Sequence, residues 1–214
     1  MNISRFARLF DNIEKDGVDC HTVAKEHGNG NAIEAESGLL LYSMVHRFNP
    51  TTVVETGTHW GFSSACIACG LHDLESAYPR GRRLHTIDSS AYDGKPELLW
   101  KSIGVDSMIS HYIADSRTGE ANLPPNTVID FLYLDADHSA ESVVAEWEQL
   151  APMLSRHRAL VAFHDTRLDP READGIKQIL AGNMAPLPDY KFVGWLPIRN
   201  YRGIDFLLLS NEQI

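Results

Sequence analysis

The chain has 214 residues, of which 43% are hydrophobic and 22% charged, a composition that suits one soluble globular domain with a sizeable core. Its 29 acidic and 19 basic residues leave a net charge of −10, which argues against nucleic acid or an anionic membrane as the target. No apolar run reaches membrane-spanning length, no apolar signal core follows Arg5 and Arg8, and three cysteines make no disulfide framework, so a cytoplasmic location is the default expectation. Arg80, Arg82 and Arg83, and Arg156 with Arg158, leave room for local basic patches.

Ile3, Phe6, Leu9, Phe10 and Ile13 recur at three- and four-residue steps and predict a helix over Asn2–Asp16. Gly28-Asn29-Gly30-Asn31 breaks the chain, and Ala32–Phe48 reads as a second helix with Leu39, Leu40, Leu41, Met44 and Val45 on an apolar face. Glu34 and Glu36 in that helix read as solvated acids. These first fifty residues form a helical cap ahead of the remaining α/β core, 51–214, within one domain spanning 1–214.

After Pro50, the β-branched run from Thr51 predicts a strand ending at Glu55. Gly57 and Gly61 turn the chain, and Phe62–Leu71 reads as a helix with Ser63 and Ser64 in its first turn. Strand, glycine loop and helix N-terminus form a cradle in which free N–H groups point at a ligand. Glu55 makes that cradle suit a cationic ligand better than a pyrophosphate. The spacing is G-x-x-x-G, not the G-x-G-x-x-G of dinucleotide binders, and His59 occupies the loop. Cys66 and Cys69, spaced C-x-x-C inside the helix, read as small packing residues.

His72–Arg83 reads as a surface loop, and Arg83–Asp88 as a second strand with Asp88 at its tip, 27 residues beyond Gly61. Lys95–Ile103 is a helix, Ser110–Ala114 a third strand followed by Asp115-Ser116. Val128–Asp135 is the strongest strand, apolar enough for the centre of a sheet covered on both faces. Ser139–Leu154 is a helix with Val143, Val144, Trp147, Leu150 and Leu154 on one side, and Ala159–Phe163 a buried strand ending in His164-Asp165. Ala173–Asn183 is helical. Lys191–Leu196 and Ile204–Leu209 are strands joined so closely that they run antiparallel. Trp60, Trp147 and Trp195 read as core or wall residues. The alternation predicts a doubly wound seven-stranded sheet, mostly parallel with an antiparallel C-terminal pair and helices on both faces.

The strand ends carry Glu55, Asp88, Asp115, Asp135 with Asp137 and His138, then His164 with Asp165. Ligands of open α/β sheets bind at that edge. A row of ionisable tips is hard to explain by packing, since burying unpartnered carboxylates costs several kcal/mol each.

The stretch Glu55-Thr56-Gly57-Thr58-His59-Trp60-Gly61-Phe62-Ser63-Ser64 resembles the first motif of class I S-adenosylmethionine (SAM) dependent methyltransferases, whose Rossmann-like fold ends in such an antiparallel pair. The resemblance covers roughly Ala32–Ser210. It implies SAM contacts at Glu55, Gly57, Thr58, His59, Gly61, Ser63 and Ser64, a ribose contact at Asp88, and contacts at Asp115, Ser116 and Asp135. Asp135-Ala136-Asp137-His138 and His164-Asp165-Thr166 look like the corresponding segments of small-molecule O-methyltransferases of the catechol, caffeoyl-CoA and antibiotic- or sugar-tailoring branches. Carried over by position, Asp135 and Asp165 match metal ligands, with His164 where one branch has an acid, Thr166 where the other has Asn, and His138 where it has a lysine. The Gly-Gly common before the fifth strand is replaced by Ser155-Arg156-His157-Arg158.

The resemblance thus implies methyl transfer to a small-molecule hydroxyl, with Asp135, His138, His164 and Asp165 acting on the acceptor. Asp135, His164 and Asp165 would hold a divalent metal, magnesium first, if one is used. Either histidine can serve as base. No nucleic acid or membrane partner is expected, and homodimer formation is open. The alternatives are a non-catalytic SAM- or nucleotide-binding protein and a nicotinamide-dependent oxidoreductase, which would need the absent G-x-G-x-x-G loop.

Overall fold

A computed structural model describes residues 5–7, 9, 33, 35–118, 122–167, 170–181, 191–198 and 203–210. Arg5, Phe6, Ala7 and Leu9 of the expected first helix are helical. The rest of that helix, Cys20, the Gly28–Asn31 breaker, Glu34 and Asn183 lie outside the described residues.

Among the described residues, seven strands follow the expected order: β1 (Thr52–Thr56), β2 (Arg83–Asp88), β3 (Ile109–Ile113), β4 (Phe131–Leu134), β5 (Arg158–His164), β6 (Lys191–Ile198) and β7 (Ile204–Ser210). They form one sheet in the order β3-β2-β1-β4-β5-β7-β6. β1 pairs with β4, and β4 with β5, in parallel, while β7 runs antiparallel to both β5 and β6. This is the Rossmann-like methyltransferase arrangement. Among the described residues, the helices with two defined ends are α1 (Ala35–Phe48), α2 (Phe62–Ala77), α3 (Lys95–Ile103), α4 (Ala140–Leu150) and α5 (Pro170–Leu180). Strand order reverses between β1 and β4, which makes their carboxyl ends the switch point where such sheets take ligands.

The chain divides into two compact units: Met1–Asn49, Thr58–Leu84 and Ser90–Ser110; and Pro50–Gly57, His85–Ser89 and His111–Ile214. In the first, α1 crosses α2 at two glycines. A Cβ on Gly38 would lie 2.8 Å from Cys66 Sγ, and one on Gly70 2.9 Å from Val45 Cγ1. Cys66 and Cys69 are fully buried, as their packing role requires, and burial pushes the Cys69 thiol up to about 12. In the second unit, the core joins Val54, Leu132, Leu134, Val161 and Phe163 of the strands to Val143, Trp147 and Leu150 of α4 and Ile176 and Ile179 of α5.

Three expectations are corrected. The segment after Leu71 is not a loop, because α2 runs on to Ala77. No breaker intervenes before Pro79, and Glu75 accepts hydrogen bonds from the backbone N–H groups of Arg80, Gly81 and Arg82, which closes the turn beyond the helix. The basic patch for which Arg80, Arg82 and Arg83 left room does not form from all three. Arg82 is buried, its guanidinium donating to Glu75, to the Tyr78 carbonyl and to Asn49, while Arg83 donates to the Ser107 carbonyl. Finally, β4 is shorter than Val128–Asp135. Asp130 turns its carboxylate to the N–H groups of Thr51 and Thr52 at the entrance to β1, at 2.8 and 3.1 Å.

Candidate functional site

The ends of β1 and β4 meet backbone to backbone. Asp135 N–H donates to the Thr56 carbonyl at 3.1 Å, and Gly57 N–H donates to the Ile87 carbonyl at 2.9 Å. Gly57 has φ 86°, and a Cβ there would lie 2.1 Å from the Asp135 carbonyl oxygen. No side chain fits, so this glycine is demanded by the β4 end as well as by its conformation. Glu55 and Thr56 are fully buried, and Asp88 at the β2 tip is nearly so.

Asp135, His138 and Asp165 bring one ligand-type atom each to within 4.8 Å of one another. His138 Nε2 lies 3.2 Å from Asp165 Oδ2, and its side chain is 30% exposed. His164 is fully buried, with Nδ1 3.1 Å from Asp135 Oδ1 and 3.4 Å from Asp165 Oδ1. The Tyr133 hydroxyl donates to Asp135 Oδ2 at 2.9 Å. Burial, reinforced by the Asp135 charge, raises the Tyr133 hydroxyl well above the usual phenol range, so it stays a donor. Asp165 is held at φ 54°, a conformation non-glycine residues rarely adopt and one concentrated at functional sites.

Asp137 plays a different part. It accepts from Ser142 Oγ at 2.7 Å and Ser139 Oγ at 3.0 Å at the start of α4, where Ser139 itself caps the helix by accepting from Ser142 N–H. Those bonds, Ser142 first, hold its carboxyl below the usual range. It serves the helix N-terminus. Asp115, beyond β3, is exposed and paired with Arg117 at 2.6 Å, which lowers it likewise.

The loop residues Thr58 to Ser64 belong to the first unit. Gly61 has φ 81°, and its carbonyl accepts from Trp100 Nε1 at 2.9 Å. A Cβ on Gly61 would meet that nitrogen at 2.7 Å. His59, at φ 45°, packs edge-on to Trp60 and Tyr92, and Lys95 Nζ sits 4.1 Å over the Trp60 ring. Thr58, Ser63 and Ser64 are buried.

The structure therefore brings together Asp135, His138, His164 and Asp165. The trio spaced for a metal contains His138, whereas the sequence motif points to His164. Two residues went unnoticed in the sequence. Tyr133 is one. Glu146 is the other, an acid on the apolar stripe Val143–Trp147–Leu150 of α4. Such an acid on an otherwise buried helical face is the signal that can find it.

Residues 54–166 match the family model described as a methyltransferase domain, and the chain belongs to that family. A curated relative, the uncharacterized protein y4gI of Sinorhizobium fredii, is 29% identical over 136 residues. The match covers 58% of this chain and 14% of that protein, so the chain spans a small part of that relative's length. Among solved structures, the O-methyltransferase TomG from Streptomyces achromogenes, in complex with SAM and involved in tomaymycin synthesis, has a TM-score of 0.70 at 17% identity, covering 98% of this chain and 91% of that one. The O-methyltransferase from Bacillus cereus, in complex with S-adenosylhomocysteine (SAH), gives 0.70 at 16% identity, covering 98% and 92%. The SAH-bound methyltransferase PaMTH1 of Podospora anserina gives 0.63 at 13%, covering 96% and 88%.

Proposed function

We propose that the chain transfers the methyl group of SAM to a hydroxyl of a small molecule. The observation that carries this reading is the Asp135–His138–Asp165 cluster at the strand tips, in a chain of the methyltransferase family. The SAM and SAH bound by two of its structural neighbours support the choice of cofactor. SAM supplies a methyl group on a positively charged sulfur. On this reading Glu55 and Gly57 border its methionine end, Asp88 its ribose, and Asp115 and Ser116 its adenine.

A hydroxyl is a weak nucleophile until it loses its proton. His138 is within reach of solvent and of Asp165, which orients the imidazole and offsets the charge it gains. His164 and Tyr133 hold Asp135 from both oxygens, so the carboxylate presents one face to the acceptor. Asp135, His138 and Asp165 also fit a divalent cation, which would lower the pKa of the acceptor hydroxyl. With an imidazole in the set, manganese, iron or zinc suits it better than magnesium.

The test is calorimetry with SAM, followed by methyl transfer across a panel of hydroxylated metabolites. Asp135→Asn is expected to bind SAM and lose turnover by about a hundredfold or more. Wild-type protein that binds no SAM sinks the reading. A chelator that abolishes turnover assigns His138 to a metal, and turnover that survives chelation assigns it to the proton.

A further inference from the structure

Glu146 lies on α4 with 1% of its surface exposed, and both carboxylate oxygens are taken by hydroxyls from distant parts of the chain. Thr56 Oγ1, at the end of β1, donates to Oε2 at 2.9 Å. Ser116 Oγ, in the turn after β3, donates to Oε1 at 2.5 Å. Among the described residues, no cation bonds to the group. The charges that face it include Asp135 and Asp137, both negative, and Arg117, whose guanidinium is bound to Asp115. Burial lifts this carboxyl to about 7 despite the two hydroxyl bonds.

A leucine or glutamine would fill the same place on the α4 stripe without burying a charge, which is expensive when only neutral donors meet it. Leucine makes no bridge at all, glutamine bridges by accepting from one hydroxyl and donating to the other, and the ionised carboxylate accepts from both at once. Thr56 already carries the backbone link to Asp135, so Glu146 joins the β1 end, the β4 end and the β3 turn through one residue.

We propose that Glu146 is a positioning residue for the cofactor, tying the end of β1 to the turn after β3 so that the loops bordering its two ends keep a fixed spacing. This rests on the SAM reading above, in which Glu55 and Gly57 border the methionine end and Asp115 and Ser116 the adenine. A ligand that spans both loops depends on the tie. A ligand that reaches only the adenine side does not.

The experiment measures SAM and adenosine affinity by calorimetry for wild type, Glu146→Leu and Glu146→Gln, with thermal melting of each. Leucine removes both bonds while filling the volume, so the fold is kept. Glutamine keeps a bridge, accepting from one hydroxyl and donating to the other. Glu146→Leu is expected to weaken SAM by about tenfold or more and adenosine by less than about threefold, with Glu146→Gln close to wild type for both. A folded Glu146→Leu protein that binds SAM like wild type overturns the proposal, and so does an equal loss for SAM and adenosine, which would mean general loosening. Should Glu146→Leu not fold, Glu146→Gln with Thr56→Val decides: SAM weakened more than adenosine supports the tie, and equal or no loss overturns it. Wild type that binds no SAM removes the cofactor reading itself, a separate outcome.

Discussion

Glu146 also makes the stability of the protein depend on pH in a direction opposite to that of most carboxylates. Its ordinary value is 4.5, and burial lifts it to about 7 in the folded chain. Below 4.5 both folded and unfolded chains carry the neutral acid, and nothing is lost. Between 4.5 and 7 the unfolded chain ionises while the folded chain holds its proton, so stability falls as pH rises. Above 7 the full penalty stands, about 3 kcal/mol at 1.36 kcal/mol per pH unit. Glu146→Gln removes this contribution and nothing else of comparable size. The stability gap between variant and wild type should therefore move in favour of glutamine by about 2 kcal/mol from pH 5 to pH 8. Urea unfolding of both proteins at closely spaced pH, followed by tryptophan fluorescence and far-UV circular dichroism, gives the gap directly. Titrating groups that do not face Glu146 are common to both proteins and cancel, which leaves its own ionisation and its coupling to Asp135 and Asp137. A gap that stays level across that range, or moves the other way, refutes the claim that a buried proton sits on Glu146.

Other perturbations test the strand tips. Gly57→Ala places a methyl 2.1 Å from the Asp135 carbonyl oxygen at φ 86°, so it should destabilise by several kcal/mol or prevent folding, read by thermal melting. Asp130→Ala strips the partner from two backbone N–H groups and should lower stability by about 1–3 kcal/mol in urea unfolding. Glu55→Gln keeps the shape of the side chain and removes its charge. SAM affinity should fall about tenfold or more while affinity for the neutral-sulfur SAH falls less, and equal losses would place the sulfonium elsewhere.

The elements with a clear period or punctuation were legible without coordinates. The helix Lys95–Ile103 has the expected bounds, with Ile103 buried, whereas Leu98 of its apolar set faces solvent. The β6–β7 pair was legible from its short connection alone. Elements were misjudged where no residue type announces the boundary. α2 continues through His72–Ala77 because nothing there breaks a helix, and its end is set by Glu75 reaching forward to three N–H groups. The run of arginines looked like a surface feature because sequence cannot show that Arg82 turns inward to Glu75 and Asn49. At the candidate site the residue types were legible and their pairing was not. Asp135, His138, His164 and Asp165 all lie at or just beyond strand ends, but which histidine faces which carboxylate depends on side-chain rotation.

That rotation has a physical cause in β4 and β5. Residues alternate sides along a strand, and the register pairs Leu134 with Phe163 at the last ladder position. Asp135 and His164 are therefore the next residues along on neighbouring parallel strands, so the imidazole and the carboxylate meet at 3.1 Å. His164 is drawn into the buried layer and becomes the support of Asp135. Asp165 then turns at φ 54° instead of continuing β5, and its other oxygen meets His138, which comes from the segment after β4. Two adjacent buried residues thus divide the work: His164 holds the Asp135 carboxylate in place, and Asp165 meets His138, a histidine that solvent can reach. If the proposed methyl transfer uses a histidine base, that base must exchange its proton with the acceptor and then with water, and of these two imidazoles it is His138, 30% exposed against 0% for His164, that meets both conditions.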